Sequence, residues 1–367
     1  MAQRIDSLRD ALRPDLATFY IQKTTLRGFG TVAAALTALF TLLDFVGELA
    51  HVGKGHYGVR DALAYVLLLS PQRLIEVSPI AMMFGCLLAL GAMARHEELT
   101  AFFATGLSEF RILRAVILLV PAVSALLLVL SQFVVPSAEF RAQQLHAAAT
   151  EEADVEDGVW TVENGVFLHV GVLADGRRPE DIDIYRFGGT DALQRYIHAA
   201  HASVRPDGDW LLEDVTVKDI HDGLFRTSHP ASLRWRPIAS LRELRLLGRP
   251  RATVSATALL SYIREREAQG HPDPLYVSEF WSRAALPFSM IGLVMFAAPL
   301  LFGPARARGI GARMGGGVLI AITYSLFQQI ALRLGLLAGI PSVVTSLAPP
   351  LALILLGVYL IILTRQP

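Results

Sequence analysis

Residues Met93–Ser108 read MARHEELTAFFATGLS, and this stretch decides how the chain is parsed. A long apolar run, Pro79–Met93, stops at its start, and another, Ile112–Val135, begins just after it. Between them Leu99, Phe102, Phe103 and Leu107 recur at i, i+3, i+4 and i+8, which predicts a short helix with one apolar stripe. Arg95, His96, Glu97 and Glu98 crowd its first turn, where acidic groups suit the helix dipole, and Gly106 supplies a stop. A helix of this kind between two spanning segments lies at a membrane surface and offers a socket to a soluble partner. The same spacing also fits a solvated loop helix that binds nothing. The rest of the chain has to choose.

Composition narrows the class. Of 367 residues, 53% are hydrophobic and 18% charged, below the roughly 25% charged of a soluble domain. Net charge is +0, which gives no electrostatic case for nucleic acid as a partner. The single cysteine, Cys86, sits in an apolar run, so neither an internal disulfide nor a cysteine-based metal site is available. The apolar segment after the basic N-terminus is too long for a signal-peptide core and reads as an uncleaved first span.

A helix needs about 20 apolar residues to cross the hydrocarbon layer. Six segments qualify: Leu26–Leu49, Val77–Ala94, Ile112–Val135, Val277–Phe302, Met314–Leu337 and Val343–Leu363. Ala62–Leu69 is apolar but short. Pro71, Arg73 and Glu76 separate it from the second span, which predicts an interfacial or re-entrant piece. Basic residues in the N-terminal tail, in the loop with Arg95, Arg111 and Arg114, in Gly303–Arg313 and at Arg365 fall on one side, which is then cytoplasmic. The long region after the third span faces outward. There, short runs rich in Val, Ile, Tyr and Trp alternate with turn signals, notably Asn164-Gly165 between Val159–Val162 and Val166–Leu173. Further strands are expected at Ile182–Phe187, Leu193–Val204, Trp210–Ile220 and Leu224–Thr227, in a sandwich or jelly-roll-like sheet pair. The fold class is therefore a polytopic α-helical membrane protein of six spans with an inserted all-β domain. Its parts are 1–135 (three spans and a cytoplasmic helix at 95–107), 136–275 (the β domain) and 276–367 (three spans).

Catalytic motifs are missing. The sequence has no nucleotide P-loop, no H-E-x-x-H and no G-x-S-x-G, so no catalytic residue is assigned and no cofactor is implied. Gly315-Gly316-Gly317 signals close packing or flexibility, not a phosphate cradle. His198 and His201 are three apart in an expected strand, hence on opposite faces, and His146 and His169 are isolated in sequence, so no metal site is expected. Arg73, Glu76, Glu279, Arg283 and Arg333 are expected to snorkel or to pair with neighbours.

Six short stretches, taken in order, resemble the LptF/LptG (YjgP/YjgQ) family of lipopolysaccharide export permeases. They are Tyr20-Ile21-x-Lys23-Thr24; Asp44-Phe45-Val46-x-Glu48-Leu49; Leu88–Gly106; Phe280-Trp281-Ser282-Arg283 with Pro287; Phe302-Gly303-Pro304 with Gly311 and Arg313; and Gly339-Ile340-Pro341. The Phe-Val-x-Glu-Leu stretch and the closing segment are more similar to the G-type than to the F-type subunit. The resemblance implies a bacterial inner-membrane protein with cytoplasmic termini and a periplasmic jelly-roll domain. It also implies an F-type permease sibling, a dimer of a separate cytoplasmic ATPase (LptB-type), and LptC/LptA-type periplasmic jelly-roll proteins as partners. Lipopolysaccharide would enter from the outer leaflet through a gate of the first and fifth spans. The short helix then resembles the family's coupling helix: Glu98 would meet a basic ATPase residue, Leu99, Phe102 and Phe103 would fill a groove, and Arg95 and Glu97 would flank them. Around the outer end of the first span, G-type subunits often carry lysines for lipid phosphates. This chain has Asp44, Gly47, Ala50 and His51 at the matching positions. Carboxylates repel phosphate. The lipid-facing candidates are Asp44, Glu48, His51, Lys54 and Arg60: either the transported lipid carries fewer phosphates, or a divalent cation or Lys54 and Arg60 meet them instead. The competing class is a membrane-anchored periplasmic scaffold without transport activity.

Overall fold

The structure is a computed structural model that describes residues 16–53, 55–150, 158–163, 165–174, 178–188, 193–205, 208–221, 224–238, 241, 243–244, 254–268, 273–302 and 310–363. Lys54, Asn164, Gly303, Pro304, Arg365 and the N-terminal tail before Leu16, all invoked above, lie outside these residues.

Helices come first in the chain: α1 (Leu16–Glu48), α2 (Val59–Arg95), α3 (Glu98–Ala104) and α4 (Glu109–Thr150). Among the described residues seven strands follow: β1 (Val159–Glu163), β2 (Val166–Ala174), β3 (Arg178–Phe187), β4 (Leu193–Val204), β5 (Trp210–His221), β6 (Leu224–Ser228) and β7 (Ser232–Trp235). The chain ends with α5 (Ala256–Ala268), α6 (Pro274–Phe302), α7 (Ile310–Leu337) and α8 (Ser342–Leu363). Six of the helices are long and apolar enough to cross a membrane. The chain divides into two compact units. One takes the chain up to Ala50, Val66–Ala142 and Ser255 onward; the other takes His51–Tyr65 and Gln143–Val254.

Two span boundaries differ most from the expectation. Ala62–Leu69 is not a separate piece but the first part of α2, a continuous helix of 37 residues through Pro71 and Pro79. Proline is tolerated in a spanning helix because neighbouring groups take up the freed carbonyls. The charge of Arg73, the other apparent break, is neutralised in place: its guanidinium grips Asp44 of α1 with Nε at 2.6 Å and Nη2 at 2.9 Å, and donates to Glu76 at 2.7 Å. The third span likewise continues past Val135. α4 runs 42 residues, about 63 Å at 1.5 Å per residue, twice the roughly 30 Å hydrocarbon layer. Its last turns, Ala-, Gln- and Leu-rich, are good helix formers.

The helical core centres on α2 and α4. Met82, Met83, Leu90, Ile112, Val116 and Val120 are fully buried there, joined by Met290 and Leu293 of α6. α1 crosses α2 backbone to backbone. A Cβ at Gly85 would stand 2.5 Å from the Phe29 backbone, and one at Gly28 2.5 Å from the Gly85 carbonyl, so this crossing requires glycine on both sides. Of the three consecutive glycines in α7, Gly317 is the one that meets neighbours closely, Leu87 and Phe84 of α2.

In the second unit the strands pair antiparallel in the order β1-β2-β3-β4-β5-β6, with β7 also on β5. The described strands thus form one hydrogen-bonded meander, where the strand spacing alone suggested two sheets. Gly165, at φ 75, makes the β1–β2 turn that Asn164-Gly165 signalled. One face is apolar in register: Leu168, Ile184, Ile197 and Val217 form one cross-strand row, and Val170, Ile182, Ala199 and Val215 the next. Trp210, Leu212 and Leu244 complete that core.

Candidate functional site

The candidate coupling segment is built from three elements. α2 ends at Arg95, so Arg95 belongs to the spanning helix and not to the short one, which is a correction to the single helix expected over 95–107. Glu97 takes a left-handed conformation (φ 59, ψ 9) and turns the chain by nearly closing one helix before the next opens. α3 then runs seven residues and closes at Thr105 and Gly106 (φ 87). The apolar stripe is real but faces inward. Leu99 is 5% exposed and packs in the chain's own core, and Phe102 and Phe103 lean on that core half-buried. Leu99 is therefore an internal anchor for α3, not a surface knob; burial against the spans is what fixes the short helix. Thr100, Ala101 and Ala104 form its exposed side, with Glu97 and Arg95 exposed at its head.

Glu98 has a partner that the sequence did not reveal. The Tyr20 hydroxyl of α1 donates to its Oε2 at 2.9 Å, and the Tyr20 ring lies 6.4 Å from that of Phe102. The first span is thus tied directly to the short helix through the acidic residue and its neighbouring aromatic. Both Tyr20 and Glu98 fall in resemblance motifs, but nothing in their spacing joins them.

The lipid-facing candidates fall in both units, Asp44 and Glu48 in the first and His51 and Arg60 in the second, with Lys54 outside the described residues. Asp44 is engaged by Arg73, so it presents a neutralised pair instead of a bare carboxylate. Glu48 closes α1 and is half-buried. In the second unit, the His51 ring lies edge-on to His146, 6.0 Å away, and Tyr57 and Tyr65 surround His146. Arg60 is exposed in the first turn of α2. Arg283 pairs with Glu279 at 3.1 Å, as expected for span-end charges, and Arg333 is exposed.

Within the helical unit, α6, α7 and α8 line an open apolar groove of about 520 Å³. Phe296, Leu319, Phe327 and Leu356 are among its walls, and Tyr324 brings one polar edge, its hydroxyl donating to Ser289 at 2.7 Å. The volume is in the range of small-molecule sites. α1, α7 and α8 also carry wide exposed apolar faces: 11%, 17% and 22% of their most apolar windows are buried, against 67% for α2. In a spanning bundle such faces meet lipid or other helices.

The β unit holds polar groups that the sequence reading passed over. His169, taken as isolated, stacks on Trp160 at 4.4 Å and lies 3.5 Å from Asp183. Asp183 also accepts from Tyr196 at 2.7 Å and faces His198 Nδ1 at 2.9 Å. Burial would raise this carboxyl, but the Tyr196 and His198 hydrogen bonds and the histidine charge outweigh it and hold Asp183 below its ordinary range. Burial and the same carboxylate push the Tyr196 phenol well up. His201 stands apart from this group, 3.9 Å from Glu180.

Comparison with known proteins follows the same lines. The sequence model of the family described as lipopolysaccharide export system permease LptF/LptG matches residues 19–363. The chain is 25% identical over 349 residues to the lipopolysaccharide export system permease protein LptG of Escherichia coli strain K12, covering 93% of this chain and 96% of that protein. It is 26% identical over 341 residues to the LptG protein of Haemophilus influenzae, covering 92% and 95%. Six spanning helices, an inserted antiparallel sheet and a family match over almost the full length agree: the chain belongs to the lipopolysaccharide export permease family LptF/LptG.

Proposed function

We propose that this chain is the G-type permease subunit of an ATP-driven exporter that lifts lipopolysaccharide out of the bacterial inner membrane. It pairs with an F-type sibling, takes its power from a separate cytoplasmic ATPase dimer, and hands the lipid to periplasmic jelly-roll proteins that lead to the outer membrane. Its termini and α3 face the cytoplasm, and its β domain faces the periplasm. The observation that carries this reading is the Tyr20–Glu98 hydrogen bond. A seven-residue helix wedged between two long spans and tied to a third is suited to pass a push from a soluble partner into the membrane. Glu98 and the exposed edges of Phe102 and Phe103 meet the ATPase, with Glu97 and Arg95 flanking and Leu99 bracing from within. An aromatic anchor beside a charge is a common form of binding hot spot.

In the reconstituted assembly, Glu98→Ala is expected to weaken ATPase association by about 2 kcal/mol, roughly thirty-fold in affinity, and to uncouple ATP turnover from lipid release. Unchanged turnover and release would favour the scaffold reading instead.

At the outer end of the first span, the Asp44–Arg73 pair removes the repulsion that a bare Asp44 would exert on lipid phosphates. Arg60, His51 and Lys54 are the candidates for positive contact with phosphate, and Glu48 remains a lipid-facing candidate. Comparing release of lipid with and without phosphates, in the wild-type and Arg60→Gln assemblies, tests that assignment; identical strict dependence in both would remove Arg60 from it.

A further inference from the structure

We propose that the β unit carries a binding site for a divalent transition-metal ion, with Zn²⁺ the best fit, formed by Asp181, Asp183, His198 and His169. The site is made by strand register. His169 of β2, Asp183 of β3 and His198 of β4 are direct cross-strand partners, so their side chains form one row on the face opposite the apolar core. Asp181 joins from two residues upstream on the same face, its Oδ1 3.9 Å from His198 Nδ1.

Three ligand atoms, one each from Asp181, Asp183 and His198, lie within 4.8 Å of one another. Tetrahedral ligands held at about 2.0–2.1 Å from Zn²⁺ stand roughly 3.3–3.4 Å apart, so small side-chain rotations close the shell. The fourth ligand is marked by a separate observation. His169 Nδ1 is buried and lacks a well-formed hydrogen bond among the described residues; it stands 3.5 Å from Asp183 Oδ2, a loose ion-pair contact. A polar ring nitrogen left in that state has a cost that a metal would remove. Trp160 fixes the His169 ring from the other side. The Tyr196 hydroxyl on Asp183 is the kind of outer hydrogen bond that orients a ligating carboxylate.

Two imidazoles and two carboxylates select against Ca²⁺ and Mg²⁺, which prefer oxygen alone, and suit Zn²⁺. Entry is open, since the Asp181 side chain is 55% exposed. A bound ion would cross-link β2, β3 and β4, and so would raise the stability of this unit by mass action.

The test uses the full chain in detergent, stripped with chelator, then incubated with Zn²⁺ alone and desalted. The wild type is expected to retain about one equivalent and to unfold at a higher temperature than the stripped form. Asp181→Asn with His198→Gln should lower affinity at least about ten-fold and abolish the thermal shift, while His201→Gln changes neither. Asp181→Asn alone serves as the variant that keeps its fold: the position is exposed, and asparagine accepts its φ of 53. It too should lose affinity. Retention below about a tenth of an equivalent by the wild type, or equal retention by the double variant, would overturn the site and leave the row a metal-free polar ladder; neither result bears on the transport reading.

Discussion

The helical unit and the β unit handle charge in opposite ways. In the helices, ionic groups near the span ends are cancelled by near neighbours: Asp44 by Arg73, Glu76 by the same guanidinium, Glu279 by Arg283. In the sheet, polar groups are gathered into a row, with His169, Asp183, His198 and Thr216 adjacent across four strands and His229 3.1 Å from Thr216. A membrane interior makes an unmatched charge costly, so pairing there keeps the spans in place. Outside a spanning segment that demand is weaker, and a row of polar groups gathered by register calls for another explanation.

The comparison can be broken at its helical side first. Gly85→Leu should cost about 3 kcal/mol, since the added side chain collides with the α1 backbone and the crossing cannot relax; thermal unfolding in detergent measures it. Arg73→Ala should cost about 2 kcal/mol by leaving Asp44 and Glu76 unmatched. Asp44→Asn in the same chain should recover part of that loss, and failure to recover would mean the pair is not what holds α1 to α2.

On the sheet side the effects are smaller. Asp183→Asn removes the charge that Tyr196 and His198 share and should cost about 1–2 kcal/mol. Because the Asp183 carboxyl is held below its ordinary range, its contribution is complete above about pH 4 and is lost as pH falls through its lowered value. Acid unfolding of the β unit should therefore show a limb that Asp183→Asn flattens. Thr216→Val, at the far end of the row, should change stability by about half a kcal/mol.

How much of this could be read beforehand follows from the same contrast. Six spans were legible because length and hydropathy are properties of a continuous run, and the β1–β2 hairpin because Asn-Gly fixes its own turn. The start of α2 was misread, since Pro71, Arg73 and Glu76 look like breaks until the partner of Arg73, 29 residues away, is known. Spacing gave α3 its apolar stripe but not the direction it faces, so Leu99 was taken for a surface contact. β7 is four residues long and was missed. The row through Asp183 is invisible in the sequence because its members meet by register between strands, whereas spacing along one strand relates only His198 and His201.

The central claim is that this chain is moved by a separate ATPase acting through α3. The direct measurement is lipopolysaccharide release from proteoliposomes holding the permease assembly with and without the ATPase chain. The account predicts ATP-dependent release only when that chain is present, and its loss with Glu98→Ala. Release by the permease chains alone, with no nucleotide-hydrolysing partner, would contradict it.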